Sequence, residues 1–476
     1  MSISVVFGIL LLAVVAGVGW LLARFLLRAG TELDRLSLAF PLGAGVFTWS
    51  LFVASWLGVA LNLRLVILVL ILLGLGSASL LYVQGLRNKD INPKLASRRA
   101  DRSLGTLISR APLAILALVV IVAAIIAIGV GYSTWDAIAI WSIKGYGIAY
   151  SGSIFEAGYW GAHRFAYPLN IPLLISSAWL ASGDLLPESK IVFPVFWAST
   201  LVGIYSFWRG RKVGRLLAGL GALFLATIPE MFFHGTIGYA NIPLAAYIVL
   251  GALWGIVGIE NGDKHALVLS GILLGFGAWT RVEGVLFSVS VIVALMAAWR
   301  ISKQGKIRLG AWLAPFAIIA GSWMVFFRLF GAEGSQASGA LSEAFRSIPA
   351  GDLGTDALMV IARYFAGRSI ELGLWGLLFP ISLALILLNW KRLSPQNYPV
   401  SFALLLCTIL TGAATVALYY IGSYISPDLS GWLTRSFPRA FFQSAYLVGA
   451  LAVLVASESL VPRHGVSGDA AALADS

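Results

Sequence analysis

Apolar runs of about 20 residues recur from one end of the chain to the other, and each is long enough to cross the ~30 Å core of a bilayer as a helix. Hydrophobic residues make up 59% of the 476 residues and charged residues only 11%. Soluble domains carry about 25% charged residues, so this chain cannot cover its surface with charge, and lipid must solvate most of it. The runs do not alternate as barrel strands do, which predicts an all-α membrane protein.

The sequence predicts a polytopic protein with about 13 transmembrane helices. The predicted spans are 3–23, 37–60, 64–83, 111–131, 190–208, 214–230, 241–259, 266–280, 284–299, 309–329, 371–390, 399–421 and 440–461. Basic residues gather in every second loop between these spans, from Arg24 after the first span to Arg463 after the last. Because cytoplasmic loops are rich in Lys and Arg, we predict that these loops are cytoplasmic and that the N-terminus lies outside.

The net charge of +12 fits the same topology. Since most of the positive charges lie in short loops between apolar runs, they indicate membrane orientation rather than a nucleic-acid partner. No basic segment precedes the first apolar run, which favours a retained first helix over a cleaved signal peptide. The single cysteine, Cys407, lies in an apolar run and is predicted to be a packing residue.

Two long outer loops interrupt the series of spans. In the first, 132–189, the short apolar stretch Pro168–Gly183 is predicted to be a juxtamembrane or re-entrant helix beside an amphipathic, aromatic and basic segment. In the second, 330–370, the stretch Asp356–Arg368 fits an amphipathic helix on the membrane surface. We divide the chain into three N-terminal helices with a basic cytoplasmic loop (1–110), a membrane core (111–461) and a disordered tail (462–476).

Asp136 directly follows the fourth apolar run, in the segment Tyr132-Ser133-Thr134-Trp135-Asp136. A carboxylate at the membrane surface can take the proton from a hydroxyl group that attacks an anomeric carbon, so Asp136 is the candidate general base. The aromatic and cationic residues that follow it suit an anionic, hydroxyl-rich substrate carried by a lipid. The plain alternative is that Asp136 marks the end of a helix and turns to water.

Further short motifs follow in order along the chain. They are His163-Arg164-Phe165-Ala166-Tyr167-Pro168, Gly238-Tyr239-Ala240-Asn241-Ile242-Pro243, Trp279-Thr280-Arg281-Val282-Glu283-Gly284 and Arg435-Ser436-Phe437-Pro438-Arg439. With Trp135-Asp136 they resemble the GT-C superfamily of membrane glycosyltransferases, which includes the protein O-mannosyltransferases and the lipid A aminoarabinose transferase. The resemblance extends over 111–461. It implies a transferase that moves a sugar from a polyprenyl-phosphate donor, with inversion, to a hydroxyl group of a glycan, lipid or protein on the outer face.

Two departures from that family pattern stand out. Three helices precede the core, and no role is assigned to them. Many relatives carry an aspartate in the second outer loop, where this chain has Asn241. Asparagine cannot act as a base, so a metal site built on two carboxylates loses support, and we expect no metal or other cofactor. Glu230 and His234, which lie shortly before Asn241, are the nearby groups that could compensate.

A phosphate leaving group needs cations, and arginine binds phosphate through two parallel hydrogen bonds. The candidate phosphate-binding residues on the outer face are Lys144, Arg164, Arg281, Arg435 and Arg439. The alternative is that these arginines bind lipid headgroups or pair with Glu283, Asp428 or Glu371. Lys144 falls near the face of Asp136 if the segment is helical, so it is a candidate partner of that carboxylate.

Further residues are candidates for binding the substrate because of their position in the outer motifs. They are His163, Tyr167, Tyr239, Asn241 and Glu283. For His163 the alternative is a structural role, for Glu283 an ion pair with Arg281, and for the tyrosines a place in the aromatic belt at the membrane interface.

Two other functions remain open. A flippase or transporter of lipid-linked glycans predicts ionisable residues along a path through the bilayer, whereas the candidates here lie near helix ends. A ligase or polymerase of O-antigen type would share the arginines but need not depend on Asp136. In each case the protein is expected in a bacterial cytoplasmic membrane, with the site on the extracytoplasmic face and with polyprenyl-linked sugars and membrane lipids as partners.

Overall fold

The computed structural model describes residues 3–27, 30–87, 104–155, 167–183, 187–303, 307–330, 355–423 and 428–460. Within these ranges every regular element is helical. His163 and Arg164, the predicted tail 462–476 and the first part of the loop 330–370 lie outside the described residues. The protein is thus an all-α membrane protein, as its apolar runs predict.

The helices follow one another with few breaks. In chain order they are α1 (Ile3–Leu26), α2 (Glu32–Trp56), α3 (Leu63–Arg87), α4 (Leu104–Val130), α5 (Ile143–Ser151), α6 (Asn170–Ser182), α7 (Val192–Gly210), α8 (Arg215–Ala226), α9 (Pro229–Ile237), α10 (Asn241–Asn261), α11 (Lys264–Thr280), α12 (Gly284–Ile301), α13 (Leu309–Phe330), α14 (Thr355–Ser369), α15 (Leu372–Trp375), α16 (Leu378–Leu388), α17 (Pro399–Ser423), α18 (Leu429–Ala440) and α19 (Phe442–Leu460). A π-helical turn, Ala137–Ser142, leads into α5. Short 3₁₀ segments precede α7 and follow α16.

Ten helices of the described chain are long and apolar enough to cross a membrane, or eleven if a bent pair counts as one span. The count of thirteen is therefore not confirmed. The segment 214–230 is divided between α8 and α9, which bend by 64° where Pro229 begins the second helix. The segment 371–390 is interrupted at Gly376, whose φ of +53° is open mainly to glycine. The segment 266–280 forms α11, with only 17 residues.

The two helices predicted within the outer loops are present. Pro168–Gly183 contains α6, which is short and apolar, and its first nine residues are buried against neighbouring helices. Asp356–Arg368 lies within α14, which packs against α18 through Ile361 and Phe437. The first helix therefore belongs to the protein interior, while the second covers α18.

The N-terminal helices pack directly into the rest of the bundle. The Thr48 hydroxyl of α2 donates a hydrogen bond of 2.8 Å to Oδ1 of Asn170 in α6, and Asn170 Nδ2 donates one of 2.8 Å to Oγ1 of Thr280 in α11. Tyr247 of α10 donates to a backbone carbonyl of α2 at 2.9 Å. All four side chains are buried, so this network joins four helices at one point just before Arg281.

The two ends of the bundle differ in chemistry. At one end, Arg211 after α7 pairs with Glu260 near the end of α10 at 2.6 Å, within the predicted cytoplasmic set of basic loops. At the opposite end, the exit of α4 and the start of α19 approach each other, because Asp136 pairs with Arg439. The alternation of the helices thus separates the basic loops from the predicted site.

This arrangement predicts the outcome of cysteine labelling. In a Cys407→Ser background, we expect a membrane-impermeant maleimide to label Ser430→Cys in intact cells and Gln396→Cys only after permeabilisation. Both positions are exposed, the first in α18 and the second beside the basic loop after α16. Basic loops are retained in the cytoplasm, which places the other end outside. Labelling in the reverse order would contradict this orientation.

Candidate functional site

Asp136 forms an ion pair with Arg439. Its Oδ2 accepts a hydrogen bond of 2.5 Å from the Arg439 guanidinium, across 303 residues of sequence. The two side chains are 16% and 18% exposed, so the pair is shielded yet reachable from the surface. Asp136 immediately precedes the π-helical turn Ala137–Ser142. Such turns are rare in proteins, and those that occur often lie at functional sites.

Arg439 is presented by α18, a helix with one polar and one apolar face. Asp428 caps its first turn by accepting a hydrogen bond of 2.8 Å from the Gly431 amide. Leu433 and Phe437 are buried, while Arg435 and Arg439 lie one turn apart on the polar side. Arg435 is largely exposed and lies 3.6 Å from Asp428. The helix thus packs through its apolar face and carries two arginines on its polar face.

A second ion pair lies beside the first, in the turn between α11 and α12. Arg281 Nε donates a hydrogen bond of 2.5 Å to Glu283, and a terminal nitrogen lies 3.4 Å from the Tyr167 hydroxyl. Burial opposes the charge of the guanidinium, but Glu283, Tyr167 and Asp136 together outweigh burial and raise the pKa of Arg281 above its usual value. Arg281 is therefore a fixed cation.

Asn241 links the two ion pairs. Its Oδ1 accepts a hydrogen bond of 3.2 Å from Arg281, and its Nδ2 donates one of 3.2 Å to the backbone carbonyl of Arg439. An aspartate could serve Arg281 but could not donate to the carbonyl, because an ionised carboxylate only accepts. An amide at position 241 is thus needed to bind both the Arg281 side chain and the Arg439 backbone.

Aromatic rings surround both guanidinium groups. Arg439 lies 5.0 Å from the ring centre of Tyr239, and Arg281 lies 5.1 Å from that of Tyr167 and 5.6 Å from that of Trp141. Such contacts stabilise a cation where water is partly excluded. Tyr167 and Tyr239 therefore help to position the arginines.

A cavity of about 380 Å³ opens next to the Asp136–Arg439 pair. Its lining residues are Thr134, Glu230, Phe233, His234, Ile237, Tyr239, Arg368, Leu374, Thr434, Arg435, Pro438 and Arg439. Three of them are arginines and one is a carboxylate. Asp136 is not among the described residues that line this cavity, but it is hydrogen-bonded to Arg439, which does line it. The cavity is thus cationic and suited to an anion.

Arg368 and Glu230 are lining residues that the sequence did not single out as site residues. Arg368, at the end of α14, pairs with Glu371 and contacts Tyr364, and hydrogen bonds to these two groups raise the pKa of its guanidinium. Glu230 lies in the first turn of α9 and was considered only as a substitute acid. In the sequence, only the i,i+3 spacing of Arg368 and Glu371 indicates that this arginine could form an ion pair.

The structure brings together most of the predicted site residues. Those joined by the contacts described above are Asp136, Tyr167, Tyr239, Asn241, Arg281, Glu283 and Arg439. Arg435 lines the same cavity. Lys144 is buried in α5, beyond the π-helical turn that follows Asp136, and the ion pair of Asp136 in the structure is with Arg439. A role for Lys144 stays a prediction. His163 and Arg164 lie outside the described residues.

The plain alternative for the arginines is also partly realised. Arg281 pairs with Glu283 and Arg435 with Asp428, as that alternative supposes, and Glu371 pairs with Arg368. An exposed pair such as Arg435–Asp428 contributes only about 0–1 kcal/mol, so it does not prevent Arg435 from binding an anion.

In the described part of the chain, no group of three or more His, Cys, Asp or Glu side chains is placed to hold a metal ion. The expectation that no cofactor is needed stays a prediction. Comparisons of the chain with protein-family models, with curated proteins and with solved structures find no match. Its function must therefore be inferred from the geometry of this site.

Proposed function

We propose that this chain is an inverting membrane glycosyltransferase of the GT-C kind, which moves a sugar from a polyprenyl-phosphate donor to a hydroxyl group of a glycan, lipid or protein acceptor. The observation that carries the proposal is the cavity lined by Arg368, Arg435 and Arg439, with Asp136 bound to the third of these arginines. The arrangement places cations for a leaving phosphate beside a carboxylate that can accept a proton.

The cavity suits the phosphate of a lipid. Arg435 and Arg439 project from α18, an amphipathic helix that leads directly into the apolar helix α19. Amphipathic helices of this kind favour the membrane surface, where a lipid headgroup would meet the two arginines. A guanidinium group donates two parallel hydrogen bonds to a phosphate and stabilises the negative charge that develops on it. The polyprenyl tail would then extend along the apolar faces of neighbouring helices.

The proposed reaction is a single displacement at the anomeric carbon of the sugar. The acceptor oxygen forms a bond to this carbon from one side, while the bond to the phosphate oxygen breaks on the other. The acceptor proton passes to the Asp136 carboxylate, and the electron pair of the broken bond remains on the phosphate, which the arginines bind. Inversion follows because there is one displacement and no covalent intermediate with the protein.

Arg439 connects the two halves of this reaction. In the structure it donates to Asp136 Oδ2, and its five N–H donors allow it to contact a phosphate in the cavity as well. A phosphate that draws the guanidinium toward the cavity loosens its hold on Asp136. The carboxylate is then released for the acceptor proton at the stage when donor is bound.

The location of the site supports an extracytoplasmic reaction. The predicted topology of thirteen spans, with the N-terminus outside, puts the cavity on the face opposite the basic loops, in a bacterial cytoplasmic membrane. Nucleotide sugars are absent from that compartment, so a sugar activated by a lipid is needed there. The ionisable residues of the site cluster at one end of the bundle rather than along a path through it, which favours transfer over transport.

Lipid binding tests the proposal directly. We expect the purified protein in nanodiscs to bind undecaprenyl phosphate at least about 10-fold more tightly than undecaprenol, since charged hydrogen bonds contribute about 1.5–3 kcal/mol each. Arg368→Ala combined with Arg435→Ala is expected to remove most of this preference. Arg308→Ala, an exposed position at the basic end, is the matched control. Equal binding of the two lipids by the unmodified protein would exclude a phosphate site.

A further inference from the structure

Glu230 is the only carboxylate among the described residues that line the cavity. Its side chain is 15% exposed and faces the same space as Arg368, Arg435 and Arg439. Burying an acid beside a phosphate site carries a cost, because the acid repels the anion that the arginines attract. An acid retained at this place calls for a partner other than the phosphate.

His234, one turn further along α9, lies next to Glu230. Its Nδ1 is 3.1 Å from the backbone carbonyl oxygen of Glu230 and 3.4 Å from the side-chain Oε1. The backbone oxygen is an acceptor, so Nδ1 carries the proton and donates to it. The second carboxylate oxygen, Oε2, has no hydrogen-bond partner in the described part of the chain, which leaves it available to a ligand.

The walls next to Glu230 are aromatic. Phe233 is half exposed and lines the cavity, as does Tyr239, whose ring centre lies 5.6 Å from that of the His234 imidazole. A carboxylate beside flat rings is the usual chemistry of a sugar site, since the carboxylate accepts hydrogen bonds from hydroxyl groups and the rings cover the C–H face of a pyranose. The three arginines line the same cavity.

We infer that Glu230 binds hydroxyl groups of the sugar that the donor carries, so that one cavity holds the glycosyl group at Glu230 and the phosphate at Arg435 and Arg439. This inference rests on the proposed function and assigns one side chain to the choice of sugar. Glu230 is thus a specificity-determining residue, distinct from Asp136, which is paired with Arg439 and is not among the residues that line the cavity.

The charge balance of the cavity is compatible with both roles. Three arginines against one carboxylate leave a net positive site, so the phosphate is still attracted when Glu230 is ionised. His234 donates its Nδ1–H to the backbone of Glu230 and so leaves the carboxylate oxygens open to the cavity. A sugar hydroxyl supplies the donor that Oε2 lacks.

The experiment compares a bare lipid phosphate with its glycosylated forms in two forms of the protein. Binding of undecaprenyl phosphate and of undecaprenyl phosphates that carry glucose, mannose, galactose or 4-amino-4-deoxyarabinose is measured in nanodiscs, for the unmodified protein and for Glu230→Gln. We expect at least one glycosylated lipid to bind more tightly than the bare lipid phosphate. In Glu230→Gln this ratio is expected to fall about 10-fold, because the amide oxygen is uncharged and accepts a weaker hydrogen bond, while the amide nitrogen cannot accept one.

Affinity for the bare lipid phosphate serves as the internal control, and it is expected to stay the same or rise in Glu230→Gln because a negative charge has been removed. Glu260→Gln, at the opposite end of the bundle, is expected to leave every affinity unchanged. A ratio unaffected by Glu230→Gln overturns the inference, and so does a parallel loss of affinity for both lipids or the absence of any preference for a glycosylated lipid. Failure of the proposed function itself is a different result, namely no preference of the unmodified protein for undecaprenyl phosphate over undecaprenol.

Discussion

Replacement of Asp136 by asparagine is expected to abolish sugar transfer while the protein remains folded in the membrane. Asparagine keeps an oxygen that can accept the hydrogen bond from Arg439, but it cannot take up a proton. General-base catalysis contributes about 10²- to 10⁴-fold to a rate, so product formation should fall by that factor. The measurement is mass spectrometry of glycolipids and glycoproteins from cells that lack the chain and are complemented with either form.

Asp263→Asn is the matched control for this experiment. Asp263 caps α11 at the basic end of the bundle, where its carboxylate accepts a hydrogen bond of 2.8 Å from the His265 amide. Asparagine is an equally good cap, so neither transfer nor stability should change. Full transfer by Asp136→Asn, at normal levels of protein in the membrane, would remove Asp136 from the mechanism.

The second large effect is expected at Arg439. Its side chain holds Asp136, lies over Tyr239 and lines the cavity, so Arg439→Ala removes a phosphate ligand and the partner of the base together. Loss of one donor to a developing anion lowers turnover by about 10²- to 10³-fold. Transfer in complemented cells and binding of undecaprenyl phosphate to the purified variant should both fall.

Arg439→Lys separates charge from geometry. Lysine keeps the positive charge but lacks the planar fork of arginine, so we expect lipid phosphate to bind at an intermediate affinity and transfer to remain strongly impaired. Arg308→Ala, which removes one exposed positive charge at the opposite end, should match the unmodified protein in both assays. Normal transfer by Arg439→Ala would be incompatible with a phosphate site in this cavity.

The helical framework could be predicted from the sequence because bilayer thickness imposes a length on each apolar run. The places where the prediction was incomplete have local causes. Pro229 starts a new helix at a bend, and Gly376 takes a positive φ that ends α15 after four residues. A hydropathy window averages over such single residues, so it reports one span where the structure has two helices.

The site could be predicted residue by residue but not as pairs. Asp136 and Arg439 were both recognisable from their positions next to apolar runs, whereas their contact joins two ends of the chain that no spacing relates. Local spacing suggested only Lys144 as a partner for Asp136, because spacing relates residues close in sequence and Arg439 lies 303 residues away. Glu230 and Arg368 were not selected because only the packing of α9, α14 and α18 makes them neighbours of one cavity.

The most direct test of the central claim follows the covalent fate of the sugar. Purified protein is reconstituted with the lipid and glycan extract of cells that lack it, and the products are identified by mass spectrometry. Sugar transfer predicts that a polyprenyl-phosphate sugar declines, that free polyprenyl phosphate increases by the same amount, and that an acceptor gains the mass of one sugar. A lipid-linked sugar that crosses the bilayer with its mass unchanged, and with no modified acceptor, would contradict this account.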